Sequence, residues 1–404
     1  MSEAIDIIRS NTRVLEPVEA DLGTVYNSVL AEDVESDIDM PPFNKSAMDG
    51  FAVRASAARD LPVILHSSST VAAGETLEGG AVTSSKKSGT ELECVRIMTG
   101  APVPEGLDAV VKIEDTEPLP GGRIKFTDPI VKGQNICIRG EDVKKGDVVL
   151  KKGMRIRGPE IATLASVGRH KPIVYKKPAI GVVSTGKELV EPSFPPGEGK
   201  IRNSNGPMLA SMTASLGCKT EYFGIADDEE DTLRSFIRCG FKKDILLLSG
   251  GVSVGDYDLV PDVLKSEGAE VLFHKVFLKP GKPLLFAKKE KCCVFGVPGN
   301  PVSNFTTFYA FIKPAIYKMM GREDFGPNFI DGFITEDFTN TSSRLLLAPS
   351  SCDFVDGRYQ VTPHSLNGSA DIAGCANSSC LLMIEKGNTE IKKGEKVKIL
   401  LFGD

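Results

Sequence analysis

The sequence predicts a multidomain chain with a doubly wound α/β unit set between β-rich segments. Three observations carry that expectation. The length, 404 residues, exceeds what one hydrophobic core usually organises, and about three domains are expected. From Ala179 to Gly321, apolar strand-like runs alternate with helix-like segments, the pattern of parallel βαβ units with helices on both sheet faces. On either side, short β-type runs are punctuated by frequent proline and glycine, as in small β-rich units.

The elements follow in order. Ser2 to Arg13 places Ile5, Ile7 and Ile8 among charges and reads as a short helix. FAVRAS, LPVIL, DAVVKIE and GGRIKF read as strands, and SSKKSGTE (84–91) as a mobile loop. GDVVLKKGMRI (146–156) reads as a hairpin, and GPEIATLASVG (158–168) as a helix with Pro159 in its first turn. In the α/β stretch the strands are AIGVVSTG, CKTEYFGIADD, DILLLSGG, AEVLFHKVFL and CCVFGVP. Between them lie helices, the last from Pro301 to Gly321, with Phe305, Phe308, Ile312, Ile316 and Met319 on one face. Pro314 should kink it. Five further short strands after Gly321 make a small β domain.

Bulk chemistry narrows the function. Lys plus Arg is 48 and Asp plus Glu 54, a net charge of -6, which argues against a dedicated nucleic-acid binder. The N-terminus carries charges where a secretory signal would be apolar, and no apolar run approaches a membrane span. Nine cysteines, odd in number and without a C-x-x-C pair, read as reduced thiols of a cytosolic protein. His66, His170, His274 and His364 show no zinc spacing.

Every strand end of the α/β unit carries polar residues. STGKE (184–188), GIADDEED (224–231), SGGVSVGDYD (249–258), LKPGKP (278–283) and VPGNP (297–301) are expected at one rim of one sheet, where ligands of such folds bind. Each has a plain structural reading. Asp228 and Asp258 could cap the helices that follow, Glu188 could be a solvated first-turn acid, and Asn300 with Pro301 makes a good helix start. Lys275, Lys279 and Lys282 could be a surface cluster, but Lys279 and Lys282 flank a Pro-Gly turn. Taken together, glycine amides and lysines suit an anion. Clustered carboxylates repel by roughly 4 kcal/mol at an effective dielectric near 20, so they call for a cation. Mg²⁺ between carboxylates and a phosphate ligand fits. No Walker A loop and no G-x-G-x-x-G after a strand is present.

In the N-terminal part, DMPPFNKSAMDGFAVRA (39–55) and IRGEDVKKGD (138–147) are acidic turns of unusual composition. Together with TGAPVPEGLDAVVKIED, STGKEL, SGGVSVGDYD, KPGKP and GVPGNPVS, they make the whole chain resemble the MoeA family of molybdopterin molybdenumtransferases, and it is similar to the E domain of gephyrin. The resemblance implies four parts: 1–20 and 147–176 as an elongated linker and dimerisation domain, 21–146 as a β-rich domain, 177–323 as a molybdopterin-binding-like α/β domain, and 324–404 as a small C-terminal β-barrel.

It also implies a cytoplasmic homodimer that inserts molybdate, or tungstate, into adenylylated molybdopterin with Mg²⁺ and releases AMP. Contact with the molybdopterin adenylyltransferase is a further implied possibility; no nucleic acid or membrane partner is implied. The matching acids are Asp49, Asp142, Glu188, Asp228 and Asp258, and the matching lysines Lys275 and Lys279, all expected to be catalytic. Lys275 and Lys279 would hold the oxyanion, and Glu188, Asp142 or Asp49 would relay protons as oxide leaves as water. Asp228 and Asp258 would hold Mg²⁺ on the pyrophosphate. Ser249, Gly250, Gly251, Lys282, Pro298, Gly299, Asn300 and Pro301 would bind substrate, with Arg344 and Ser369 from the C-terminal domain. The chain departs from the family at Asp256, where Glu is common, and at Pro349, where a second arginine aligns. Two rivals stand beside this reading: an adenylyltransferase, and a non-enzymatic scaffold of the gephyrin kind.

Overall fold

The structure is a computed structural model that describes residues 1–58, 60–75, 93–226, 229–252, 259–387 and 390–403. The segment SSKKSGTE, read as a loop, lies outside the described residues. The chain divides into two compact units: residues 1–32, 152–161 and 171–404, and residues 33–151 and 162–170.

The larger unit is built on a six-stranded sheet. Four strands run parallel in the order Lys219–Ala226, Ala179–Thr185, Ile245–Ser249, Cys292–Val297. The sheet continues through Leu285–Lys289 and Glu270–His274, each antiparallel to its neighbour. The central strand Ile245–Ser249 is buried along its whole length, because helices cover both faces and an apolar run is the only sequence that satisfies both. Phe286, Phe295, Phe308 and Phe311 fill the core beneath the last helix, and the Phe286 and Phe295 rings lie 4.9 Å apart. The opening helix Ser2–Asn11 packs Ala4 and Ile8 into this same core.

Three expectations change here. AEVLFHKVFL is not one strand. It leaves the sheet after His274, Lys275 takes φ +123°, and Leu278–Lys279 pairs with Leu345–Leu346 of the C-terminal domain instead. LFAKK (285–289) is a strand that the sequence reading passed over. The last helix is α-helical over Pro301–Thr307 and Lys313–Met319, with a π-helical stretch Phe308–Ile312 between. That wider turn falls just before Pro314, whose missing N–H cannot complete a regular ladder.

The C-terminal domain is a closed barrel. Leu345–Val355, Arg358–Pro363, Ile330–Ile334, Lys396–Leu401 and Cys380–Ile384 pair in that order, and the last pairs back to the first. Ile334, Val361, Leu382 and Ile399 fill its interior.

The smaller unit holds a second six-stranded sheet, in the order Ala109–Lys112, Gly50–Val53, Glu93–Ile97, Val63–Val71, Arg123–Phe126, Thr116–Leu119. Phe51 meets Phe126 edge to face at 6.3 Å in its core. The hairpin expected over 146–156 does not form. Val148–Leu150 pairs with Val34–Glu35, and Arg155 bridges to Val29, so distant partners outcompete the local turn. All nine cysteines are free thiols. No described helix is long and apolar enough to cross a membrane.

Candidate active site

The parallel strands end level with one another. Ser184 pairs with Ser249, Ser249 with Val297, and Thr185 with Ala226. Through the antiparallel strands, His274 faces Leu285 and Leu285 faces Gly296. The strand ends from which the five polar stretches depart therefore lie along one rim.

At the centre of that rim the glycine turn is a packing device. Gly250 has φ +96°, and a Cβ there would lie 2.5 Å from the Thr185 carbonyl oxygen. Only glycine fits such a backbone approach. The turn is pinned by the Gly250 N–H donating to the Val297 carbonyl at 3.0 Å. Ser249, 2 % exposed, accepts from Asn205 Nδ2 at 3.0 Å and from Asn304 Nδ2 at 2.8 Å. Asn205 Nδ2 also donates to the Gly299 carbonyl at 2.6 Å. These two asparagines tie the glycine turn to the loop Pro298–Asn300, and neither was singled out in the sequence. Asp228 and Asp258 lie outside the described residues. Among the described residues, no group of three or more His, Cys, Asp or Glu could hold a metal ion.

Glu188 is exposed and curls over Gly186, within 2.6 Å of where a Cβ would stand. Nearby, Tyr222 donates to Glu191 at 2.8 Å and accepts from Asn203 at 2.6 Å. Burial, reinforced by the Glu191 carboxylate, pushes the Tyr222 phenol up. Lys275 is exposed at a positive φ that non-glycine residues avoid. It is fixed there by its N–H donating to the Leu284 carbonyl at 2.9 Å.

Next to the rim, a cleft of about 550 Å³ separates the α/β domain from the barrel. The Pro-Gly turn delivers Lys279 and Lys282 to it, Pro298 and Asn300 come from the PGNP loop, and Arg344 and Ser369 from the barrel. These six were assigned from scattered positions in the sequence, and the fold gathers them. Arg344 donates one guanidinium N–H to the Leu278 carbonyl at 2.9 Å, which orients its fork beside the Lys279 strand. Asn300 occupies the N-cap position but its side chain does not cap. It donates to Ser369 Oγ at 2.8 Å instead. The Ser369 carbonyl takes the Val302 N–H at 3.1 Å, so one first-turn amide is already occupied. Pro349 lines the cleft too.

Two lining residues escaped the sequence reading. Asn340 is 2 % exposed, its Oδ1 accepts the Ser342 N–H at 2.8 Å, and its Nδ2 has no partner. His364 stands on the barrel side. Neither sits in a motif, so only folding shows them. No Asp or Glu is among the described lining residues. Cations and unpaired donors without carboxylates make this a place for an anion rich in oxygen.

Asp49 and Asp142 belong to the smaller unit. Asp49 Oδ1 accepts both the N–H and the hydroxyl of Thr99, each at 2.7 Å, and the Thr99 N–H chiefly holds its carboxyl below the ordinary value of 3.8. Asp142 is exposed, and its N–H donates to the Met40 carbonyl at 3.0 Å.

Comparison with known proteins covers nearly the whole chain. The profile of the MoeA N-terminal region (domain I and II) matches residues 1–168. A probable molybdopterin binding domain matches 181–318, and the MoeA C-terminal region (domain IV) matches 333–402. The molybdopterin molybdenumtransferase of Staphylococcus aureus (strain Mu50) is 35% identical over 410 residues, covering 99% of this chain and 95% of the relative. That of Staphylococcus epidermidis (strain ATCC 35984) is 33% identical over 414 residues, with the same coverage of 99% and 95%. A crystal structure of the molybdopterin biosynthesis moea protein from Pyrococcus horikosii superposes with a TM-score of 0.81 at 29% identity, covering 100% of this chain and 98% of that one.

Proposed function

Since the chain belongs to the MoeA family of molybdopterin molybdenumtransferases, enzymes of molybdenum cofactor biosynthesis, we propose that it inserts molybdate into adenylylated molybdopterin in a Mg²⁺-dependent reaction that releases AMP. The observation that carries this reading is the cation-lined cleft, in which Lys279, Lys282 and Arg344 meet Asn340 and Ser369 with no carboxylate in the described lining. A tetrahedral dianion accepts at every oxygen. Lysine and arginine neutralise its charge, and Asn340, whose buried Nδ2 is unpaired, stands behind them as a further donor. A buried donor left unpaired costs about 1–3 kcal/mol, so an incoming oxide would relieve it.

The pterin phosphates fit the neighbouring rim, where the glycine turn Gly250–Gly251 lies beside the PGNP loop and lets a ligand approach the backbone closely. Asp228 and Asp258 are the proposed Mg²⁺ ligands, where the metal would offset pyrophosphate charge. Lys275 and Glu188 flank that rim. Asp49 and Asp142 enter through the family resemblance. A homodimer working in the cytoplasm, with a handover contact to the adenylyltransferase, completes the proposal.

The test is a balance sheet of products. Purified chain with Mg²⁺ and adenylylated molybdopterin should release AMP when molybdate is added and retain molybdenum on the pterin. Pyrophosphate release from ATP and molybdopterin, without molybdate, would identify an adenylyltransferase instead. No nucleotide product under either condition would leave a binding scaffold.

A further inference from the structure

We propose that His364 carries the protons that insertion must move, acting from Nε2 in the cleft; this rests on the insertion reading above. His364 lines the cleft. Its Nδ1 lies 3.0 Å from the Gly374 carbonyl oxygen and 3.1 Å from Ser378 Oγ. A carbonyl oxygen only accepts, so Nδ1 carries the hydrogen in the neutral ring. Neither Gly374 nor Ser378 lines the cleft, and with Nδ1 engaged by them Nε2 is the ring nitrogen left with a lone pair for a group in the cleft. No other group among the described residues hydrogen-bonds the ring. The His364 N–H donates to the Pro349 carbonyl at 3.1 Å, which fixes the residue on the barrel wall.

The surrounding charges leave no competitor in the described lining. Lys279, Lys282 and Arg344 line the cleft as donors suited to holding an oxyanion. The nearest acid of the same loop, Asp371, is tied to the Gly374 N–H at 3.0 Å and the Asn367 N–H at 3.1 Å. Cys375 turns its thiol to the Asp371 carbonyl. Imidazole is the side chain suited to both accept and donate at neutral pH.

The step balances. Molybdate and a pterin dithiol give a molybdenum dithiolene and one water. Two Mo–S bonds form, one Mo–O bond breaks, and the two S–H protons become the two O–H protons of water. Molybdenum keeps its oxidation state and no outside reductant is needed. Neutral Nε2 takes a thiol proton, the imidazolium is held by the Gly374 carbonyl, and the proton passes to the departing oxide, twice per turnover.

Two measurements test the assignment. Nitrogen-15 NMR of the intact wild-type chain should show His364 as the Nδ1–H tautomer, with its Nε2 resonance moving when molybdate is added. The opposite tautomer, or a silent Nε2, overturns the proposal whether or not the chain turns over. In kinetics, His364→Ala should lose about 10²-fold or more in kcat, keep its KM for molybdate within roughly threefold, and regain activity with added imidazole. Retained kcat, or a loss that imidazole does not rescue, overturns it. His364→Gln gives the same kcat loss with a filled side-chain volume, should the alanine variant fail to fold. A wild-type chain that makes no molybdenum product refutes the insertion reading, and the NMR result then decides on His364 alone.

Discussion

The glycine-turn rim and the barrel-side cleft lie next to each other and treat their polar groups differently. At the rim, Asn205 and Asn304 aim their Nδ2 donors at Ser249 Oγ and at the PGNP backbone, all buried, and only their Oδ1 acceptors are left unpaired. In the cleft, Lys279 and Lys282 are exposed, Asn340 Nδ2 is unpaired, and His364 Nε2 meets no described protein group. Donors taken up by neighbours hold architecture, and donors left unsatisfied mark where an anion is expected. The rim fixes the shape against which the cleft presents its charges.

That contrast can be broken by substitution. The largest effect is expected for Lys279→Ala. Its side chain is exposed, so melting should be unchanged, while kcat/KM for molybdate falls about 10²-fold, the usual cost of one donor on a developing anion. Equal losses in molybdate and pterin dependence would move Lys279 to the phosphates. Asn340→Asp comes next. It keeps the acceptor for the Ser342 N–H, removes the donor and adds a like charge, so calorimetry should find molybdate bound roughly tenfold more weakly. Unchanged affinity would make Asn340 a turn residue only.

At the rim the expectation reverses. Ser249→Ala removes the acceptor shared by two buried asparagines, and urea unfolding should show a loss of about 1–3 kcal/mol with the KM for molybdate unaltered. A raised KM with normal stability would erase the distinction between rim and cleft. The smallest effect on stability belongs to Asp49. Its carboxyl sits below the ordinary 3.8 because of Thr99, so its contribution is present above that value and is lost as pH falls through the lower folded value. Asp49→Ala should therefore lower the melting temperature slightly at pH 7, with the gap to wild type closing below pH 4.

The sheet was legible because its strands are short apolar runs closed by glycine, and DILLLSGG admits no half-exposed reading. The rim followed, since parallel strands place their ends together whatever the loops contain. Lys279 was legible from the Pro-Gly turn it flanks, whereas Arg344 and Ser369 were legible only through family resemblance, because no local pattern says that residues 279, 344 and 369 meet. The departure of Leu278–Lys279 to the barrel was hidden by a continuous apolar run in which Lys275 gives no sign of its positive φ. The 146–156 segment misled because a Lys-Lys-Gly turn suits a hairpin, whereas Val148–Leu150 pairs with residues over a hundred positions earlier. Asn340 and His364 were illegible for a different reason. Their significance is an unpaired Nδ2 and a tautomer, and both are properties of neighbours that folding supplies.

The central claim is that the oxyanion sits in the cleft and not on the rim. Diffraction from crystals soaked in molybdate, recorded at the molybdenum absorption edge, locates the metal without reference to any assumed role. The account predicts an anomalous peak within hydrogen-bonding reach of Lys279, Arg344 and Asn340, with oxide density towards His364. A peak at the Gly250–Gly251 turn, with the cleft empty, would contradict it.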